Sequence, residues 1–415
     1  MGKRIKKGKI FVQIASYRDP ELNNTLEDML ANADNPDKLV ICIAHQFSKD
    51  DEWDNLDKYK DDKRFKILSI PYQDAKGACW ARNLIQQEYD KEEYTLQLDS
   101  HHRFVKSWDT KVIKMYEKLR KNGSNKPLLT SYISSYDPKN DPEKRADKPW
   151  GMKFDRFTPE GVVFFLPYWL DVKPLNPIPA RFFSAHFAFT TGKFAEECQH
   201  DPELYFHGEE ISLAVRAFTH GYDLFHPNEI IAYHEYTRQG RTKHWDDNSD
   251  WGIANKASHE RMRKLLGVDG ECAPCQRKKL FAQYGLGTER TLEDYEEYAG
   301  IRFKDRALRT STTDNLIPTL GKKDEQWNFK FKHCIDIHGS SFKEDDYTFA
   351  AVILLNKDKK EIYRKDQMGF DHMVKSHKMS FMNIWVEANV EKPDSWIVWA
   401  YSASKGWVEQ ITGKL

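Results

Sequence analysis

Apolar runs that alternate with amphipathic stretches over the first 121 residues constrain this chain more than any other feature. Ile10-Phe11-Val12-Gln13-Ile14-Ala15 predicts a first strand, and Leu22, Leu26, Met29 and Leu30 recur at helical spacing between Glu21 and Ala33. Leu39 to Ala44 and Phe65 to Ile70 predict two further strands, and Gly77 to Tyr89 a second helix. Tyr94 to Leu98 then reads as a fourth strand and Lys111 to Lys121 as a third helix. Strands that alternate with helices need crossover connections, which give a mostly parallel sheet with helices on both faces. The expected class is therefore α/β, with ligands bound outside the carboxyl ends of the strands. The chain has no GxGxxG after its first strand and no GxxxxGKS or GxxxxGKT anywhere, so ordinary dinucleotide and P-loop readings lose support.

The fourth strand ends abruptly in chemistry: Leu96-Gln97-Leu98-Asp99-Ser100-His101-His102. Residues two apart on a strand share a side and lie about 7 Å apart. Where the backbone leaves the sheet, Asp99 and His101 can converge on one ion, while His102 points away. An oxygen plus an imidazole, with positions left for phosphate oxygens, suits Mn2+ or Mg2+ better than a closed zinc site. A solvated polar strand end is the plainer alternative. His234 closes a second apolar run, in the position that a third ligand would need, although a lone histidine is more often a surface or core residue. Gly208-Glu209-Glu210 starts a helix running from Ile211 to Thr219, and two acids there also simply complement the helix dipole.

Charge limits the partners. Lys plus Arg equals Asp plus Glu at 64 each, so no global field points to nucleic acid or an anionic membrane; a local basic groove would not show in this balance. With 31% charged and 40% hydrophobic residues the chain is expected to be globular. The basic run Lys3 to Lys9 lacks a following apolar segment and no window approaches a membrane span, which predicts a cytoplasmic protein. Six cysteines are irregularly spaced, and Cys272-Ala273-Pro274-Cys275 lacks the second ligand pair of a zinc site, so it reads as a structural loop. Residues 136 to 160 read as a surface loop. The expected organisation is an α/β domain over residues 1–309, a linker over 310–324 and a smaller β-rich domain over 325–415.

Several stretches, in their order and spacing, resemble a known family. They are Ile14-Ala15-Ser16-Tyr17-Arg18-Asp19, Gly77-Ala78-Cys79-Trp80-Ala81-Arg82, Leu98-Asp99-Ser100-His101, His207-Gly208-Glu209-Glu210, Tyr233-His234-Glu235-Tyr236 and Tyr284-Gly285-Leu286-Gly287. Together they resemble the cytosolic polypeptide α-N-acetylglucosaminyltransferases that modify hydroxyproline, and more distantly the polypeptide GalNAc-transferases. The resemblance covers roughly residues 9 to 305 and says nothing about the rest. It implies a GT-A fold and a retaining transfer of GlcNAc, or a related hexose, from a UDP-sugar to a hydroxyl acceptor, with Mn2+ or Mg2+ bound. Hydroxyproline on a protein is the expected acceptor. A glycan, a lipid or a modified nucleic-acid base is the alternative, as is a non-catalytic UDP-sugar-binding or glycan-binding protein.

Residue by residue, Asp99 and His101 match the family's Asp-x-His metal motif and His234 its later histidine. Such groups are needed because a departing UDP develops negative charge, which a bound cation neutralises. Ser16, Arg18 and Asp19, with Asp74, Gly77 and Arg82, match positions near uridine and phosphate, and Ser100 is counted with them. Arg82 as a plain helix-surface cation is the alternative. Arg238 is a candidate clamp on the pyrophosphate, since a guanidinium suits bidentate phosphate geometry. Glu209 and Glu210 are expected to orient sugar hydroxyls. No residue announces itself as the nucleophile of a double displacement, which favours front-face transfer. His186 is a candidate contact to sugar or acceptor, with core packing as its alternative, and Trp150, Tyr168, Trp169 and Trp245 are candidate stacking rings.

Overall fold

The central sheet is built around β1 (Lys6–Tyr17), which is apolar on both of its faces. Val12 and Ile14 enter one core and Phe11, pointing the other way, enters a second. A strand buried on both sides needs cover on both sides, and the following elements supply it. α1 (Leu22–Asn32) packs Leu22, Leu26 and Met29 against the first face. β2 (Leu39–Phe47) and β3 (Phe65–Pro71) then add in parallel on one side of β1. α2 (Ala78–Gln87) covers the opposite face with Ala81 and Ile85, and returns the chain to β4 (Glu92–Asp99), parallel to β1 on its other side. This computed structural model describes residues 4–158, 160–170, 174–237, 240–272, 274–319, 327, 330–390 and 392–415.

After β4 come β5 (His102–Phe104), α3 (Trp108–Lys121) and β6 (Pro127–Thr130). Trp108 is fully buried and donates its indole N–H to the Met29 carbonyl at 2.9 Å, fixing α3 to α1. A hairpin of β7 (Trp150–Phe157) and β8 (Val163–Trp169) follows, then β9 (Ile178–Pro179), β10 (Phe187–Thr191) and α4 (Phe194–Glu197). α5 (Glu209–Thr219), β11 (Asp223–His226) and β12 (Ala232–His234) complete the region that frames the site. The eight-stranded sheet has the order β3-β2-β1-β4-β10-β6-β11-β9, in which β10 runs antiparallel to both β4 and β6. The chain thus adopts the expected α/β class with a mostly parallel sheet.

Helices α6 (His244–Asp247), α7 (Trp251–Leu266), α8 (Pro274–Phe281) and α9 (Leu292–Ala299) follow. In α9, Thr291 and Asp294 exchange side-chain-to-backbone hydrogen bonds as a capping box, which sets Tyr295 into the core beside Phe218. A small hairpin, β13 (Ile301–Arg302) and β14 (Ala307–Leu308), leads to α10 (Thr310–Thr313).

The remainder is β-rich, as expected. β15 (Lys330–His338) pairs with β18 (Phe381–Asn389); β16 (Tyr347–Leu355) lies between β17 (Glu361–Met368) and β19 (Ser395–Ser402), with β20 (Gly406–Trp407) and β21 (Ile411–Lys414) on the outer edge of β19. Together with α11 (Phe370–Ser376) they enclose an apolar cluster of their own around Val352, Leu354, Phe370, Ile384 and Val398.

Three local expectations differ from the structure. The expected loop over 136–160 contains β7, because the alternation of Trp150, Met152 and Phe154 is satisfied only by pairing with β8. Leu128-Leu129-Thr130-Ser131-Tyr132-Ile133 reads as strand-like in sequence, but the strand stops at Thr130. The polar stretch from Thr310 begins as α10, held down where Arg181 donates to the carbonyls of Ser311 at 3.2 Å and Leu316 at 2.5 Å. Among the described residues no helix is long and apolar enough to cross a membrane.

Candidate active site

Three chain segments meet at the carboxyl end of β4, and strand pairing accounts for each arrival. Asp99 is the last residue of β4. Reversed β10 starts where β4 ends, with Phe187 opposite Leu98, so His186 is delivered beside Asp99. β12 pairs antiparallel with β5, placing His234 opposite His102, and the backbone N–H of Glu235 donates to the His101 carbonyl at 3.2 Å. Asp99, His101 and His234 consequently offer ligand atoms that all lie within 4.8 Å of one another. Asp99 Oδ2 is 3.5 Å from His234 Nε2 and 3.8 Å from His101 Nε2. Donors bound about 2.0–2.6 Å from one hard cation take up such spacings.

Whether these residues suit a cation is tested by what the protein leaves unsatisfied. Both ring nitrogens of His234 are buried; Nδ1 has no hydrogen-bond partner among the described residues, and Nε2 faces Asp99 Oδ2 at 3.5 Å. Burial holds its imidazole well below the usual range, in the neutral form that a metal ligand needs. Burial alone would raise Asp99, but the His234 ring and the Arg82 guanidinium hold it well below the ordinary carboxylate range. A carboxylate and two imidazoles fit Mn2+ chemistry. His102, expected to point away, has its Nδ1 at 3.0 Å from the Asp99 carbonyl and its ring edge-on against His234, with centroids 5.0 Å apart. The His186 ring stacks on His234 with centroids 4.1 Å apart, and its Nε2 meets the Ile133 backbone N–H and the Tyr236 hydroxyl, each at 3.2 Å.

A second buried network supports Asp99 from behind. Arg82 is 4% exposed, so it is not a helix-surface cation. Its Nη2 donates to Asp99 Oδ1 and its Nη1 to Glu209 Oε1, both at 2.7 Å. The other Glu209 oxygen accepts from the Cys79 thiol at 2.7 Å. Gly208, at φ +94°, turns the chain so that α5 opens with this carboxylate facing inward. Glu210 points elsewhere: the Tyr132 hydroxyl donates to its Oε2 at 2.9 Å and the Ala185 N–H to its Oε1 at 3.0 Å. Burial, with Glu209 adding to it, pushes Glu210 up to about 7.

Two cavities adjoin the cluster and share Arg82, Asp99, Phe206 and His234 in their walls. The first, of about 170 Å³, is lined by Tyr17, Gln46, Gly77, Tyr205, His244 and Trp245, among others. The second, of about 450 Å³, includes Tyr132, His186, Glu210 and Tyr236. Of the residues expected near uridine and phosphate, Asp19, Gly77, Arg82 and Ser100 line the first cavity. Ser16 is buried and outside that lining, Asp74 is exposed, and Arg18 turns to Asp51 at 2.7 Å and Asp247 at 3.0 Å. Arg238 lies outside the described residues. Trp245 packs edge-on against Phe206, Trp150 stacks on Tyr236, and Trp169 is 64% exposed. Arg241, which sequence reasoning missed, donates to Asp19 Oδ2 at 3.1 Å and lies 2.8 Å from Glu235 Oε2. The one hint in the sequence is its place in the basic loop that follows His234.

Comparison with known proteins gives the following. The profile of the glycosyltransferase (GlcNAc) family matches residues 9–64 and 57–305, more than two thirds of the chain. No curated protein matches. Among solved structures, the chain is similar to GalNAc-T7 with UDP, GalNAc and Mn2+ at 13% identity and a TM-score of 0.46, covering 70% of this chain and 54% of that one. The chain thus spans about half the length of that protein. S. aureus TarS 1–349 in complex with UDP-GlcNAc aligns at 12% identity and a TM-score of 0.40, over 69% of this chain and 72% of that one. The mannosyltransferase PcManGT from Pyrobaculum calidifontis, in complex with GDP-Man and Mn2+, aligns at 11% and 0.35, over 66% and 67%. At such scores the three structures are likenesses only, and the assignment rests on the family profile. By that match the chain belongs to the glycosyltransferase (GlcNAc) family.

Proposed function

We propose that this protein is a divalent-metal-dependent, retaining glycosyltransferase that moves GlcNAc, or a related hexose, from a UDP-sugar to a hydroxyl, with hydroxyproline on a protein as the expected acceptor. The observation that carries the reading is the Asp99–His101–His234 cluster, standing between two cavities with the buried Nε2 of His234 turned to Asp99 Oδ2. Asp99, His101 and His234 would hold Mn2+ or Mg2+, which supplies Lewis-acid stabilisation of the charge that develops on the departing diphosphate. The first cavity suits the nucleotide: Tyr17 and Tyr205 flank it, and Gln46 brings an amide of the kind that reads a base edge. The second, with Glu210, Tyr132 and Tyr236, suits the sugar and the incoming hydroxyl.

The carboxylates divide by what surrounds them. Both Glu209 oxygens are committed to Arg82 and Cys79, so Glu209 holds Arg82, and through it Asp99, in place. Both glutamates line the second cavity, and Glu210, held there by the neutral Tyr132 hydroxyl and Ala185 N–H and not by a guanidinium, is the group able to orient a sugar hydroxyl. A double displacement requires a free carboxylate at the anomeric carbon. Neither glutamate offers one, since Glu210 is also held by Tyr132 and Ala185, which favours front-face transfer with retention. Purified protein with UDP-GlcNAc should release UDP in the presence of Mn2+ and stop in excess chelator, and His234→Ala should lose at least a hundredfold in rate. Mass spectrometry of the product identifies the acceptor. Full turnover in chelator, or an active His234→Ala, rejects the reading.

A further inference from the structure

We propose that Asp19 is the positioning carboxylate of the metal centre, holding His101 in the tautomer that presents Nε2 to the ion, and that it does not contact the nucleotide. The inference rests on the metal-binding reading of Asp99, His101 and His234. It departs from the placement near uridine and phosphate that the family resemblance implies for this residue.

Asp19 sits on the exit of β1, just before α1, and is 4% exposed. Its Oδ1 accepts the Glu21 backbone N–H at 2.9 Å, which fixes the plane of the carboxylate. Its Oδ2 meets three groups: His101 Nδ1 at 2.7 Å, the Ser100 hydroxyl at 2.7 Å and Arg241 Nη1 at 3.1 Å. An ionised carboxylate only accepts, so the proton on His101 belongs on Nδ1. The far nitrogen, Nε2, then carries the lone pair, and it is Nε2 that lies 3.8 Å from Asp99 Oδ2 within the cluster. A carboxylate on the remote nitrogen of a ligating histidine fixes its orientation and raises its basicity.

The surroundings argue against nucleotide contact. Asp19 borders the first cavity, yet both of its oxygens are already taken by protein donors. Arg241 supplies the neutralising charge and joins Asp19 to Glu235, the residue after His234. One guanidinium therefore ties the His101 support to the strand that carries the third ligand. Arg241 Nη1 also comes against His101 Nδ1; a guanidinium only donates, so Nδ1 sits between this donor and the Asp19 acceptor, and the tautomer proposed here is the one in which the carboxylate holds the ring.

The test uses the full chain and two readouts that need no turnover. Free Mn2+ is followed by electron paramagnetic resonance in a titration without donor, for the unaltered protein, Asp19→Asn and His234→Ala. Asp19→Asn, which keeps an acceptor for the Glu21 N–H, should weaken Mn2+ binding by about 10–100-fold. UDP affinity at saturating Mn2+ should be little changed. Unchanged Mn2+ binding with weakened UDP binding would overturn the proposal in favour of a nucleotide contact. The unaltered protein supplies a measurement that no folding defect can confuse: nitrogen NMR of its histidines should show His101 protonated at Nδ1, and protonation at Nε2 instead would overturn the proposal. If His234→Ala binds Mn2+ as well as the unaltered protein does, the metal reading itself falls and takes the Asp19 role with it. If His234→Ala weakens binding while Asp19→Asn does not, only the Asp19 role is lost.

Discussion

Glu210 is the residue whose surroundings make the sharpest statement about pH. Burial pushes its carboxyl up to about 7, from the 4.5 of an unfolded glutamate. The folded state therefore holds this proton more tightly than the unfolded state does. That contribution to stability is complete below pH 4.5 and is lost as pH rises through about 7. Glu210→Gln, neutral at every pH, should match the unaltered protein in acid and exceed its Tm by several degrees at pH 8, read by thermal denaturation. A Tm difference that stays constant with pH would show that the group does not titrate in this range. Not all of this was legible in the residues. The approach of His101 to Asp99 is local geometry at a strand end, and so can be read in sequence. The division of labour between Glu209 and Glu210 is not, because it depends on Arg82, Cys79, Tyr132 and Ala185 arriving from other segments. Arg241 escapes for the same reason: a loop arginine carries no periodicity, and its partners lie far away in the chain.

At the scale of elements, the start of α2 shows how closely the first cavity is fitted. Gly77 precedes the helix at φ +106°, and a Cβ built there would meet the Tyr205 ring at 2.8 Å and the Tyr205 carbonyl at 3.1 Å. Gly77→Ala should cost about 1–3 kcal/mol through backbone strain. It should also push the Tyr205 wall outward and weaken UDP binding about tenfold, a change worth about 1.4 kcal/mol, measured by calorimetric titration. Unchanged UDP affinity in a destabilised variant would remove Tyr205 from the nucleotide site. Elements whose signal is local, β1 to β4 with α1 and α2, were readable because each has its own apolar period. β7 was not: its pattern acquires meaning only from β8. The reversal of β10 was equally hidden, since direction within a sheet is set by neighbours and not by composition, yet that reversal is what carries His186 to the end of β4.

For the molecule as a whole, the β-rich sheets after residue 330 enclose an apolar cluster separate from those of the central sheet. Contacts between the two regions include the approach of β15 to β7, Lys392 with Asp269 at 3.3 Å and Lys332 with Asp155 at 3.8 Å, and partly exposed ion pairs of this kind contribute little. We propose that the regions melt as separate units. Scanning calorimetry should resolve two transitions, and Mn2+ with UDP at about a hundred times Kd should raise only the one that contains the site, by about 2.7 kcal/mol. A single transition that shifts as a whole would refute the division. The Cys79 thiol that steadies Glu209 has a wider consequence when seen with its fellows. Cys42, Cys79 and Cys198 are all buried. Burial pushes Cys42 and Cys198 up to about 12 and Cys79 well above the usual thiol range. Oxidants and alkylating reagents attack the thiolate, and here the thiolate is both scarce and shielded. Damage at these sulfurs must wait for the fold to open, so their loss would mark how long each molecule has kept its shape.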